Sequence, residues 1–448
     1  MTGAGDPLRR PTLDRCRICT KKHTPESTPY KNKYFWRHEM AQKLGIEKLR
    51  HKLSVKQTRV SMRYNYYEMK NTVRDLQIST PPALKGWFSS LGWCAKGVDK
   101  LADRLVFREF RNDTFDLNEI FNMNNPDILT RSAVLSALIA SCSFIYISRG
   151  EDETPRLQVI DASRATGCID PITGLLTEGY AILTTDEHGR VETEAYFDAG
   201  ATYYYEYGKH VRTDKYNCDF PLLVPVIFKP DARRPFGHSR ISRAGMEHVN
   251  AALRTLKRAE ITAEFYSFPQ KWITGLSDDA DELDKWRASM SSILAFTKDS
   301  QGDSPSLGQF NAATMGPHVE HLRMLASLFG AEVDLTLDDM GFPTENPASS
   351  EAIKSAHENL RLTATSAQRT FGTGFLNAGY LAACVRDDYA YQRSVFYETR
   401  PIWEPVFEPD LSALSMIGDA MIKMQQAIPG YFGRNNLYDL TGIRPEEE

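Results

Sequence analysis

The sequence is poor in most of what secretion, membrane passage or catalysis requires. Cysteine is scarce and odd in number: seven in 448 residues, at Cys16, Cys19, Cys94, Cys142, Cys168, Cys218 and Cys384. That scatter implies no disulfide framework and points to a reducing cytoplasm. Residues 1–30 lack the apolar centre of a signal peptide. The most apolar run, Ser132 to Ile147, spans 16 residues between Arg131 and Arg149, which is short for a membrane helix. Positive charge is not in excess: 54 Lys and Arg against 58 Asp and Glu leave a net charge of −4. Proteins that grip nucleic acid by neutralising phosphates are usually basic, so repressors and packaging histones are poor readings. A conduit for DNA is not excluded, because tight phosphate contacts would resist sliding.

Catalytic and nucleotide motifs are missing as well. No Gly-x-x-x-x-Gly-Lys-Ser/Thr loop occurs, so the chain is not an ATPase motor of that type. Gly372-Thr373-Gly374 with Gly379 follows a helical pattern where a dinucleotide loop would follow a strand. His38-Glu39-Met40-Ala41-Gln42 lacks a second histidine, and no Gly-x-Ser-x-Gly elbow is found. Cys16-Arg17-Ile18-Cys19 with His23 has a zinc-like look, but no second pair follows at a workable distance. Asp278, Asp279, Asp281, Glu282 and Asp284 crowd a helix start without the Gly and Glu spacing of a calcium loop. The residues therefore predict no catalytic site, no metal and no cofactor.

What is present is a globular composition, 42% hydrophobic and 25% charged. Residues 1–30 read as a loose arm rich in Pro, Thr, Lys and Arg. Helical patterns follow near 34–49, 54–70, 86–105, from Asp116, and from Pro126. From Ser143 the pattern turns to short strands: FIYISR, PRLQVID, GYAILTT, RVETEAYF, ATYYYEYG and LLVPVIF, with a hairpin turn at Asp186 to Arg190. Helices first and sheet second make an α+β domain over residues 31–238.

A long helix is expected over 239–268, capped by Ser239 and stopped by Pro269. Near-unbroken for about 29 residues, it would measure roughly 45 Å. Residues 269–316 read as a small mixed insertion, with strands at Trp272–Gly275 and Ile293–Thr297 and a loop over 302–316. A second helix falls within 317–333, with Val319, Leu322, Leu325, Ala326 and Phe329 on one face. A polar loop, 334–348, precedes another long helical stretch from Ser349 to Phe371 that can resume as far as Asp387 within 349–404. Over 405–448, Leu411, Leu414, Ile417, Met421, Met424 and Ile428 form an apolar stripe.

Several of these segments carry a resemblance. Gly237-His238-Ser239-Arg240-Ile241 before a long helix resembles the G-x-S-x-I signature of tailed-bacteriophage portal proteins. The Tyr66-Tyr67 pair, the helix through Val98, Leu101, Asp103, Arg104 and Leu105, and the restart Ser349-Ser350-Glu351-Ala352-Ile353 resemble the same family in the same order. The resemblance implies an α+β wing (31–238), a stem helix (239–268), a clip (269–316), a second stem helix (317–333), a tunnel loop (334–348), a kinked tunnel helix returning to the wing (349–404) and a short helical crown (405–448). It implies a non-enzymatic virion protein, assembled in the host cytoplasm as a dodecameric ring at one capsid vertex. Double-stranded DNA would pass through without sequence reading. The implied partners are capsid and scaffolding protein, terminase and the head-tail adaptor, with no membrane. The alternatives that the residues leave open are a cytosolic α+β enzyme with an unrecognised site and a monomeric scaffold.

The expected sites follow. The loop acids Asp334, Asp338, Asp339 and Glu345, with Lys354 and Arg361 on the helix, are assigned to the tunnel by the resemblance. The loop, rich in Asp, Gly, Pro and Asn and sparse in apolar anchors, should be mobile. Asp278, Asp279, Asp281 and Glu282 either complement a helix dipole or form an acidic docking surface on the clip. Arg240, Arg243, Arg254, Lys257 and Arg258 form a basic stripe that either attracts phosphates or pairs with acids of a neighbouring subunit.

Overall fold

Ser143 begins a stretch in which successive residues are buried, not alternate ones, and that decides the layering. In the computed structural model, residues 43–73, 89–150, 153–267, 271–274, 306–309, 314–343, 350–407, 411–431 and 433 are described. Strand β2 (Cys142–Arg149) is buried at each residue from Cys142 to Ile147. A strand buried continuously must be covered on both faces. Helices α4 (Pro126–Ala140) and the long α8 (Glu358–Asp387) both pack against it. It sits at the centre of a three-stranded antiparallel sheet in the order β3-β2-β9, with β3 at Pro155–Asp161 and β9 at Leu223–Ile227. Pro225 opposes Phe144 on β9, an edge strand, where a missing N–H is tolerated.

A second sheet is a five-stranded antiparallel meander of β4 (Ala165–Ile169), β5 (Leu176–Thr185), β6 (Val191–Asp198), β7 (Ala201–Glu206) and β8 (Lys209–Lys215). The Asp186 turn closes as the sequence implies: Gly189, at φ +74°, donates its N–H to Asp186 O at 2.9 Å. Strands β4 and β8 were not apparent from the sequence, because β4 is short and β8 is polar along its length. Helix α1 (Ile46–Tyr67) lies against this sheet and runs unbroken where two helices were expected. Ser54, where the second helix was expected to begin, donates to His51 O at 2.9 Å inside the helix.

Two buried glutamates dock α1. Glu178 accepts from the N–H groups of Leu44 and Gly45 at 2.8 and 3.0 Å. These are orphan donors at the helix start, where a negative charge also suits the dipole. Glu194 accepts from Arg50 on α1 and from Tyr180 on β5.

Helix α2 (Trp93–Ala102) follows α1 and packs with it. A ribbon of β1 (Phe107–Arg111) and β12 (Arg400–Trp403), also missed in the sequence, joins distant parts of the chain, with Phe107 opposite Trp403. Phe107, Phe110, Phe121, Phe375 and Trp403 cluster there with neighbouring ring centroids 5.0 to 6.3 Å apart. The chain after α8 therefore returns to its first helices.

Helix α5 (Arg243–Ser267) and helix α6 (Gly316–Glu332) form the long pair. They run antiparallel: Gly245 lies against Phe329, Thr255 bonds His321 at 2.9 Å, and Thr262 bonds His318 at 3.1 Å. Val249, Ala252, Leu253, Leu325, Ala326 and Phe329 are buried along this pair. A ribbon of β10 (Lys271–Thr274) and β11 (Ser306–Gln309) joins the two strands within the intervening insertion. Strand β11 falls in the stretch read as a loop. The expected strand at 293–297, the expected helix at 34–42 and the Cys16/Cys19 arm lie outside the described residues. Helix α9 (Leu411–Ala427) carries the C-terminal stripe.

The unit from Leu44 onward is described here; of the first unit, residues 1–43, only Lys43 falls among the described residues.

Candidate functional site

The sequence signature Gly237 to Ile241 does not begin the long helix. Ser239 Oγ donates to Ile139 O at 2.5 Å and accepts from Ile241 N at 3.0 Å, fixing a bend against the end of α4. The cap is Ser242, whose Oγ receives the N–H of Gly245 at 2.9 Å, so α5 starts at Arg243. Gly237 sits at φ +72°, and a Cβ there would meet Phe228 O at 2.0 Å. Only glycine fits that close approach.

The bend aims Arg240 into the protein. Its guanidinium is almost wholly buried and spans three elements: Nε donates to Gly97 O on α2 at 3.3 Å, Nη1 to Asp334 Oδ2 at 2.9 Å, and Nη2 to Val333 O at the end of α6. Thr363 on α8 donates to the same Asp334 oxygen at 3.0 Å. One arginine thus ties α2, the approach to α5, the end of α6 and α8 together. Burial pulls its pKa down, and the Asp334 partnership counters that pull. This corrects the expectation for Arg240 as a subunit-interface group: it is satisfied inside one chain.

The segment after α6 departs from the expected mobile loop. Over its described part, 334–343, Leu335 and Met340 are buried, and Leu337 and Phe342 pack against the core. Asp334 takes φ +52° and Gly341 φ +91°, which turns the chain sharply. Gly330 has no room for a side chain, since a Cβ would lie 2.7 Å from Leu335 O. Asp339 Oδ2 accepts from Thr336 N–H at 3.1 Å and Thr336 Oγ1 at 2.8 Å. The apolar anchors were hidden in the sequence because they are interspersed with acids, of which Asp334 and Asp339 bond inward.

Asp339 also meets His357 Nε2 at 2.9 Å, while His357 Nδ1 faces Ile353 O at 2.8 Å. Both ring nitrogens thus have a partner. Burial pushes the Asp339 carboxyl up, but the Thr336 and His357 bonds outweigh it and hold it below the usual range. His357 lies between the end of α7 (Ser350–Ala356) and the start of α8. His357, Thr336 and Thr363 were not identified from the sequence; the partners of His357 and Thr363 lie 18 and 29 residues away, too far for spacing to reveal them.

The remaining expected residues are placed as follows. Lys354 is exposed on α7, and Arg361 on α8 is paired with Glu358 at 2.7 and 2.8 Å. Asp338 is exposed in the turn after α6. On α5, Arg243 and Arg258 are exposed, Lys257 is half-buried, and Arg254 pairs with Glu247 at 3.1 Å. Glu345 and the acidic group Asp278, Asp279, Asp281 and Glu282 lie outside the described residues. His238 bonds Asp231 at 2.6 Å in the loop before α5, a structural contact. Among the described residues no cluster of His, Cys, Asp and Glu has the form of a metal site, and no helix is long and apolar enough to cross a membrane.

Known proteins match this arrangement. A portal protein of Mycobacterium phage D29 is 24% identical over 341 residues, 71% of this chain and 70% of that protein. A portal protein of Mycobacterium phage L5 is 24% identical over 319 residues, 66% of this chain and 65% of that protein. Among solved structures, a chain of the native gene transfer agent virion and one of the neck of the native particle, computed with C12 symmetry, each align with 86% of this chain and all of theirs at 12% identity and a TM-score of 0.45. The model of the phage portal protein family, SPP1 Gp6-like, matches residues 46–411, and the chain belongs to that family of structural proteins.

Proposed function

We propose that this portal subunit closes into a dodecameric ring at one capsid vertex, through which double-stranded DNA is packaged and later ejected. In this reading the α5–α6 pair is the stem, residues 269–316 are the clip that docks terminase and then the head-tail connector, α7 and α8 face the channel, and α9 begins the crown. Capsid and scaffolding protein contact the wing. The subunit has no reaction of its own to perform; it positions and guides.

The observation that carries the ring is the family match joined to uncovered apolar side chains on the long helices. Val319, Met324 and Leu328 stand exposed on α6, and Met416, Ile422 and Met424 on α9. Apolar helix faces of this kind are covered by partners, and repeated head-to-tail contact between copies closes a ring. The electrostatics suit sliding. Arg361 is offset by Glu358, so a passing phosphate meets little net attraction, and Lys354 contributes a screened charge only. Asp334 and Asp339 serve the junction rather than repelling DNA. Mass measurement in solution and electron micrographs of the purified chain test the proposal. Rings are expected; a purely monomeric species that forms no ring even with capsid or scaffolding protein would overturn it.

A further inference from the structure

Helix α1 carries positive charge in one line. Lys52, Lys56, Arg59 and Arg63 recur at steps of four, three and four residues, which places them on a single face over about 16 Å of helix axis. That face meets the loop before α5. The ammonium groups of Lys52 and Lys56 lie over the Phe236 ring, 5.5 and 5.7 Å from its centroid. Phe236 is itself held by Phe144, with centroids 5.9 Å apart. The same loop carries Arg233 and Arg234, and Arg243 opens α5. Cations from α1, from the loop and from the start of α5 thus gather on one side of the protein.

These charges are not neutralised from within. Among the described residues, none of Lys56, Arg59, Arg63, Arg233 and Arg243 pairs with an acid. Asp231, the acid of the loop, is taken by His238 at 2.6 Å and by the N–H groups of Arg233 and Arg234 at 2.7 and 2.6 Å. Arg234 turns Nη1 toward His238 Nδ1 at 3.2 Å, not toward an acid. Arg63 is half-buried, and its Nε is enclosed with no acceptor. Burial and the nearby Arg234, Arg59 and Arg243 pull its pKa down, as crowded like charges do. A buried donor without an acceptor costs free energy until something supplies one. An anion answers both demands.

We propose that this face of α1, with the loop 231–238 and the start of α5, is a second DNA surface, separate from α7 and α8, that grips the phosphate backbone of double-stranded DNA. The centres of protein–protein interfaces are depleted in lysine, whereas this row is lysine and arginine alone, which favours phosphates over an acidic protein. A strand of the duplex offers a phosphate about every 3.4 Å of axis, so a row of this length meets several at once. The planar guanidinium forks of Arg59 and Arg63 suit phosphate oxygens. Phe236 lies under the lysines and is not offered to a base, so the backbone is held and no sequence is read. Arg361, assigned above to the channel side, is offset by Glu358 at 2.7 and 2.8 Å and lets DNA slide. The α1 row has no such offset and retains what it touches.

The test titrates the full-length chain into a fluorescently labelled duplex of random sequence and reads anisotropy between about 50 and 200 mM salt. With about four phosphate contacts, affinity should fall roughly a hundredfold over that range. The double variant Lys56→Gln, Arg59→Gln should bind roughly tenfold more weakly at the low end and lower the salt slope by about 2. Both residues are exposed, so the fold should survive, and light scattering of the same samples should show the assembly of the parent. The pair Arg190→Gln, Lys209→Gln, exposed on the meander, removes the same charge elsewhere and should leave binding unchanged. A Lys56, Arg59 double variant that binds as the parent does would overturn the proposal. So would one that loses its rings and keeps its DNA affinity, which would assign the row to a neighbouring subunit. Binding of the parent to poly-glutamate and not to the duplex would assign it to an acidic protein instead.

Discussion

The Arg240 junction and the α5–α6 pair meet at the same place and solve opposite problems. At the junction Arg240 is buried and its polar surroundings are half-buried, and each is answered within one chain: Arg240 by Gly97, Val333 and Asp334, Asp334 again by Thr363, Asp339 by Thr336 and His357. Along the helix pair the seam is mainly apolar, crossed by the Thr255–His321 and Thr262–His318 bonds, yet the outer side of α6 leaves Val319, Met324 and Leu328 to solvent. Burying an arginine is costly unless its donors are satisfied, so the junction has one low-energy geometry. An apolar face has no such directionality and accepts a neighbour. The first region sets where the helix pair points; the second awaits other copies.

The largest expected effect comes from breaking the junction. Arg240→Ala strands Asp334 without its charge partner and should cost about 3–5 kcal/mol, the usual toll for removing one member of a buried pair. Denaturant unfolding of the reduced chain measures it; a loss below about 1 kcal/mol would mean the contact is not structural. Phe329→Ala, in the seam, should cost a comparable 3–5 kcal/mol through the cavity it leaves. Next comes Ser242→Ala, which removes the α5 cap and should cost about 1 kcal/mol. Ser239→Ala should leave the helix content unchanged, since Ser239 lies outside α5, and circular dichroism separates the two.

A pH scan sharpens the contrast further. Asp339 has a carboxyl held below its ordinary value of 3.8, so it binds a proton more readily unfolded than folded. Its contribution is fully present above the ordinary carboxylate range and is lost as pH falls through the lower folded value. Acid unfolding of the Asp339→Asn variant should show less steepening below pH 4 than the parent. Equal slopes would rule out the Thr336–Asp339–His357 contacts as a source of acid sensitivity. The smallest effect on folding belongs to Leu328→Ser, on the uncovered side of α6: within about 0.5 kcal/mol for the single chain. Its consequence should appear in assembly, as a shift from rings toward smaller species in light scattering. An unchanged ring population would place the subunit contact elsewhere.

The sequence made the broad order legible and the junction invisible. Helix and strand types came through because α5 keeps the 3.6-residue period of a half-buried helix, while β2 and β5 are short runs rich in β-branched and aromatic residues. The signature Gly237 to Ile241 was recognised, but its cap was placed three residues early: Ser239 and Ser242 are equivalent by composition, and only the neighbouring carbonyls of α4 decide between them. The turn after α6 looked like a polar loop because its four apolar residues, Leu335, Leu337, Met340 and Phe342, are interspersed with acids and turn formers. In the fold Asp334 and Asp339 bond inward, and Leu335 and Met340 do the anchoring. The ribbon of β1 and β12 could not be read at all, since each strand is short and its partner lies hundreds of residues away.

That ribbon has a mechanical consequence. It pins Phe107 to Trp403, so the two ends of the stretch between them are held side by side. The α5–α6 pair is an excursion within that stretch, anchored at its base by Arg240, which sits on the way out and, through Val333, grips the way back. Tension along the axes of the two helices would therefore divide between two legs that meet at one clamped base.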